Sequence, residues 1–127
     1  NKNKSDKYKI EYLHSAVPNY IENAEKYISK YETIDIESSC FYKDYKNKLT
    51  EKEIDENVHI IKLEEFINSL NLKEMSKKEY NDEDVFDGLC WYFYIMENDK
   101  AYNINGYEKM PEKLKNIVKY LEKIARN

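Results

Sequence analysis

The stretch Leu89-Cys90-Trp91-Tyr92-Phe93-Tyr94-Ile95-Met96 is the longest apolar run in the chain, and its reading decides the fold. Eight residues are too few for a membrane span and suit one strand. Alternation sends Leu89, Trp91, Phe93 and Ile95 to one side and Cys90, Tyr92, Tyr94 and Met96 to the other. A strand apolar on both faces is expected to be central and covered on both sides. Trp91 is therefore expected in the core.

The flanks extend this strand into a module. Asp87-Gly88 reads as a turn, with glycine supplying the positive φ that turns require. Glu97-Asn98-Asp99-Lys100 turns the chain into a partner strand through Tyr102 and Ile104, closed by Gly106. Pro111 then suits the first turn of a helix, since its missing amide would have no partner there. Over Met110 to Ile124, Leu114, Ile117, Val118, Leu121 and Ile124 form one apolar stripe, and Lys113, Lys115, Lys119 and Glu122 fall off it.

Upstream, Leu63, Phe66, Ile67 and Leu70 follow helical spacing, so Lys62 to Leu72 is expected to be a short amphipathic helix, with Lys73 to Asp84 a polar connection. Lys7 to Leu13 alternates as a half-buried strand. Val17, Tyr20, Ile21, Ala24, Tyr27, Ile28 and Tyr31 fall on one helical face, which predicts a helix over Pro18 to Lys30, although the tyrosines and isoleucines also favour strand. Thr33 to Ile36 and Ser39 to Tyr45 read as strands, and Lys46 to Asn57 as a solvated loop. The expected fold is α+β: an antiparallel sheet with helices packed mainly on one face. A chain of 127 residues has room for one domain, here residues 1–127, with Asn1 to Lys7 as a polar tether.

The run from Asp87-Gly88 through the Trp91 strand, the hairpin, Gly106-Tyr107, Pro111 and the final helix resembles the C-terminal part of small uncharacterised proteins common in Firmicutes and their mobile elements. The resemblance spans about Ile60 to Ile124 and includes the preceding helix. It implies structural roles for Trp91, Gly88, Gly106 and Pro111, and it carries no activity, cofactor or catalytic residue.

Composition narrows the function classes. The 21 basic residues include a single arginine, Arg126, and the favoured Lys, Asn, Ile and Tyr are what AT-rich codons supply in a low-GC bacterium or its phage. With net charge -4 and interleaved signs, the chain lacks the basic, arginine-bearing stripe of a nucleic-acid binder. No apolar run is long enough for a transmembrane helix. Asn1 to Lys7 is the kind of tether that follows a lipidated surface cysteine, though an arbitrary boundary reads equally well. The setting is thus either the extracellular surface or the cytoplasm.

Catalytic motifs are sparse. His14, His59, Cys40 and Cys90 are the candidate metal ligands, but no two stand at ligand spacing. Cys40 and Cys90 are expected to be buried thiols or, at most, one structural disulfide. Ser15 beside His14 is a poor nucleophile–base pair, because sequence neighbours point apart. Two isolated glycines exclude a phosphate-cradling loop. Asp87 with Glu97 to Lys100 loosely echoes metal-dependent nucleases, yet reads better as hairpin charge. What remains is aromatic: Tyr42, Tyr45, Tyr92 and Tyr94 are the candidate partner surface, since tyrosine offers area and a hydroxyl at low entropic cost. The expectation is a non-catalytic interaction protein without cofactors, its partner a protein. It would be a surface-tethered accessory domain or an intracellular inhibitor acting by occlusion. An enzyme with an unrecognised site is the alternative from another class.

Overall fold

A computed structural model describes residues 8–45, 48–82, 84 and 88–126. The tether expected over Asn1 to Lys7, and Asp87 of the expected turn, lie outside the described residues.

Strand β1 (Tyr8–Ser15) is the centre of the sheet. Its alternation buries Tyr8, Ile10 and Tyr12 and leaves Lys9 and Glu11 half-exposed. On one side it pairs with β2 (Ile28–Asp35), which continues to β3 (Cys40–Tyr45) and β4 (Lys48–Glu53) as an antiparallel meander. On the other side it pairs with β6 (Cys90–Glu97), which turns back as β7 (Lys100–Tyr107). The two-residue strand β5 (Tyr80–Asn81) adds parallel to β7, so the strand order is β4-β3-β2-β1-β6-β7-β5. Helices α1 (Glu56–Ser69) and α2 (Leu72–Met75) connect β4 to β5, and α3 (Glu112–Arg126) ends the chain. The fold is α+β, as the alternation and the helical stripes require. No described helix is long and apolar enough to cross a membrane.

The helices lie on the face carrying Ile10, Ile34, Phe41, Trp91, Phe93, Ile95 and Ile104, and bury Leu63, Ile67, Leu114, Ile117 and Leu121 against it. The register aligns this face: Ile10 stands opposite both Ile34 and Ile95, and Phe93 opposite Tyr12 and Ile104. At the start of α3, the Pro111 carbonyl accepts from the amides of Leu114 and Lys115, both at 3.0 Å. The α3 stripe is buried as its spacing demands, except that Val118 is only half-buried.

Four sequence expectations change. The helix expected over Pro18 to Lys30 is instead a loop with a 3₁₀ turn at Ala24–Tyr27, followed by β2. A helical stripe is stable only if a surface covers it, and the covered side of the sheet is occupied by α1 and α3. Tyr20 and Tyr27 are accordingly exposed, while Ile28 onward gains backbone pairing with β1. Lys46 to Asn57, expected as a loop, contains β4 and the first two residues of α1. The β4 strand exists through its backbone ladder with β3 and buries almost nothing, so no alternation of hydrophobicity marks it. Helix α1 starts six residues before the expected Lys62, because its first turn is polar and is set by the Asp55 cap, whose side chain accepts from Asn57 N at 3.0 Å. The polar connection Lys73 to Asp84 holds most of α2 and all of β5.

The glycines act through space and not through φ, for neither has a positive φ. Gly106 lies within β7, where a Cβ would come 2.3 Å from the Tyr80 carbonyl oxygen and 2.6 Å from the Trp91 ring. Glycine there lets β5 and the indole close on the strand. The hairpin tip is made instead by Asn98, at φ 57.

Candidate functional site

The second face of β6 is where the expectation of double coverage fails. Trp91, Phe93 and Ile95 are buried under the helices, but Tyr92, Tyr94 and Met96 on the opposite face are half-buried, with no described helix over them. Cross-strand pairing sets at least one polar residue beside each of these tyrosines. Tyr94 stands between Glu11 and Asn103, and Tyr92 between Leu13 and Asn105. Tyr31 stands opposite Leu13 from the far side. Together these residues line a cleft of about 290 Å³.

The loop that the sequence reads as helix forms one wall. The Asn19 amide donates to the Tyr92 hydroxyl at 2.6 Å, pinning the segment over the ring. Beyond this contact lies a second cavity of about 510 Å³, bounded by Tyr20, Glu79, Asn81, Cys90 and Tyr107, with Tyr92, Asn19 and Asn105 shared between the two. Burial pushes the Tyr92 phenol up, and its bond from Asn19 opposes that shift. The hydroxyl is therefore a neutral group. The arrangement offers flat aromatic area, amide donors and acceptors, and the Glu11 carboxylate, which pairs with Lys9 at 3.1 Å.

Of the four expected tyrosines, three share this face. Tyr42 stands opposite Thr33, which stands opposite Glu11, so Tyr42 lies in the row of Tyr94 but three strand spacings away, about 14 Å. Tyr45 does not belong to it. As a β3 residue of the other parity it lies on the helix side and is exposed, beside Lys30, Glu32, Lys43 and Glu122. Glu11, Tyr31, Asn103 and Asn105 went unnoticed in the sequence. The two asparagines were legible, since a two-residue turn at Asn98-Asp99 forces Tyr94 opposite Asn103 and Tyr92 opposite Asn105. Tyr31 and the Asn19 wall were hidden by the helical reading of that segment.

The possible metal ligands are dispersed. Cys40 and Cys90 belong to the open face, on strands β3 and β6, three strand spacings apart across the sheet and six residues apart along it, about 24 Å and far beyond disulfide reach, and both are free thiols. His14 lies on the helix side, stacked on Tyr12 at 5.9 Å between ring centres, and His59 is on α1 against Tyr120. Among the described residues no group of three or more His, Cys, Asp or Glu converges to hold a metal. Burial pushes the Cys90 thiol up and both histidines down. Ser15 and His14 point to opposite faces, and the Ser15 hydroxyl accepts from Val17 N at 3.2 Å. The nuclease echo dissolves as well, with Glu97 and Lys100 at the hairpin end.

One residue no motif suggested is Glu32, which is 1% exposed and has an Oε1 without a hydrogen-bond partner. Burial raises its carboxyl above the ordinary range, Lys30 and Lys43 pull it back, and Glu122 adds to the rise. The fold thus favours the protonated form. Its contribution is fullest below the unfolded carboxyl range and is lost as pH rises through the raised native value. Glu32→Gln, neutral at every pH, should therefore melt about 3–5 °C above the natural chain at pH 7.5, what roughly 1 kcal/mol is worth in a domain of this size. At pH 4 the gain should vanish. Calorimetry at the two pH values checks this; a pH-independent difference would mean that Glu32 ionisation is not the cause.

Compared with protein-family models, with curated proteins and with solved structures, the chain finds no match.

Proposed function

We propose that this chain is a non-catalytic binding protein that holds a partner protein on the open face of its sheet. The observation that carries the reading is the half-buried pair Tyr92 and Tyr94, with the exposed Asn103 and Asn105 beside them, on a face that no described helix covers. Rigid aromatic area interleaved with adaptable amides is the chemistry of a protein contact surface. The cleft brings together no nucleophile with a base, which fits binding better than turnover.

Charge favours occlusion of a basic target. Across β1 to β4 the open face carries Glu11, Asp35, Asp44, Glu51 and Glu53 against Lys9. Such a surface steers toward positive potential and repels nucleic acid. That suits an intracellular inhibitor covering a basic active site, while a surface-tethered accessory domain would use the same face.

The test is retention of partner protein from extracts of the source cell. The natural chain should hold a partner that Tyr92→Ala/Tyr94→Ala loses, with dissociation constants raised about 30-fold or more for anchors of this kind. Tyr45→Ala, on the other side, should bind as the natural chain does. Equal retention by all three proteins, each checked for an intact thermal transition, would reject the open face as the contact surface.

A further inference from the structure

The sheet has two edges of opposite character. The β4 edge reads Lys48-Leu49-Thr50-Glu51-Lys52-Glu53, and charges of this density discourage strand addition. The β7 edge reads Ala101-Tyr102-Asn103-Ile104-Asn105-Gly106, without a charge or a proline. Strand β5 pairs with it only at Gly106 and Tyr107 and helix α2 packs beside it, and among the described residues Lys100, Ala101, Asn103 and Asn105 are exposed with no strand paired on their outer side.

Which backbone groups face outward follows from the ladders. Lys100 closes the two-residue hairpin against Glu97, and the Glu108 amide donates to Leu89 O, so the even-numbered residues of β7 face β6. The Tyr107 carbonyl accepts from Asp82 N on the outer side, so the odd-numbered residues face away. Ala101 and Asn103 therefore present both N–H and C=O groups to the outside.

We propose that a second copy of this chain pairs with this edge, antiparallel, about a two-fold axis at Tyr102. In that register Ala101 stands opposite Asn103 of the other copy and the reverse, so each outward N–H meets an outward C=O. Tyr102 stands opposite its own counterpart at a position without backbone bonds, where opposed side chains approach most closely and aromatic pairs add stability. The neighbouring registers are poorer. Centring on Asn103 calls for the Asn105 carbonyl, which the parallel ladder of Tyr80 opposite Gly106 engages. Centring on Ala101 sets turn residue Asp99 opposite Asn103 and leaves fewer bonds. This self-complementarity is what selects a second copy as the occupant. The axis stands perpendicular to the sheet, so both helical layers lie on one side and both tyrosine faces on the other. The pairing does not depend on the binding role proposed for those faces.

Sedimentation velocity across the micromolar range tests the proposal. The natural chain should pass from monomer to dimer with rising concentration. Asn103→Pro removes an outward donor that β6 does not use and is tolerated on an edge, so the monomer should fold and the dimer should weaken about 100-fold. Glu51→Pro, at an outward position of β4, should leave the dimer unchanged. Tyr102→Cys should form a disulfide-linked dimer on mild oxidation, because directly opposed strand residues lie within disulfide reach, and Asn105→Cys should not. The cross-link also decides the matter should Asn103→Pro fail to fold. A monomer at every concentration overturns the proposal. So does a dimer that survives Asn103→Pro, or one that cross-links no better through Tyr102→Cys than through Asn105→Cys.

Discussion

Deletion of everything after Lys109 is expected to leave a chain with no cooperative thermal transition. Helix α3 buries Leu114, Ile117, Leu121 and Ile124, each to 5% exposure or less, against the central strands and α1. At roughly 1.5–3 kcal/mol per side chain, the four contribute about 6–12 kcal/mol before entropy is subtracted, as much as a domain's whole net stability. The helix is also tied at both ends. Lys52 Nζ donates to the Ile124 carbonyl at 2.7 Å, Lys113 Nζ to the Ser69 carbonyl at 2.7 Å, and Lys30 pairs with Glu122. Removing α3 would uncover Ile34, Phe41 and Leu63 as well. Circular dichroism during heating is the direct check. If the truncated chain still melted cooperatively, α3 would be an appendage and its stripe a docking surface.

Trp91→Ala should cost about 3–5 kcal/mol, the range for emptying a packed aromatic site. The indole is 2% exposed. It packs edge-on to Phe93 at 5.9 Å and against Tyr80 at 5.8 Å between ring centres, and it fills the space that Gly106 leaves by having no side chain. Its Nε1–H donates to the Glu108 carbonyl, so the alanine variant also strips a partner from a residue held at φ 56. The melting temperature should fall by about 10–20 °C. Trp91→Phe, which keeps the ring contacts and loses only the donor and some volume, should lose less than half as much. An unchanged melting temperature in Trp91→Ala would contradict the packing.

Much of this architecture was legible before any coordinates. Period-two alternation located β1 and β6, and helical spacing located the core of α1 and nearly all of α3. Those elements bury one face in a layer, and burial imposes a hydrophobic pattern that survives in the residues. The site was legible in part: Tyr92 and Tyr94 were picked out with Tyr42, and Tyr45 was wrongly grouped with them. Parity alone separates Tyr45 from Tyr42, but applying it required the strand boundaries and the neighbours across the sheet.

The sequence by itself therefore determined the fold class, the Trp91 core strand, the hairpin and the terminal helix, because each is specified by contacts local to its own pattern. Tertiary structure alone decided that Ile28 onward is strand and not helix, that charged β4 is a strand at all, and that the second face of β6 stays open. The reason is common to the three. A backbone ladder satisfies N–H and C=O groups whatever the side chains are, and whether an apolar face is covered depends on where the other layers go. Only the assembled sheet shows that both long helices pack on the same side and leave Tyr92 and Tyr94 facing outward.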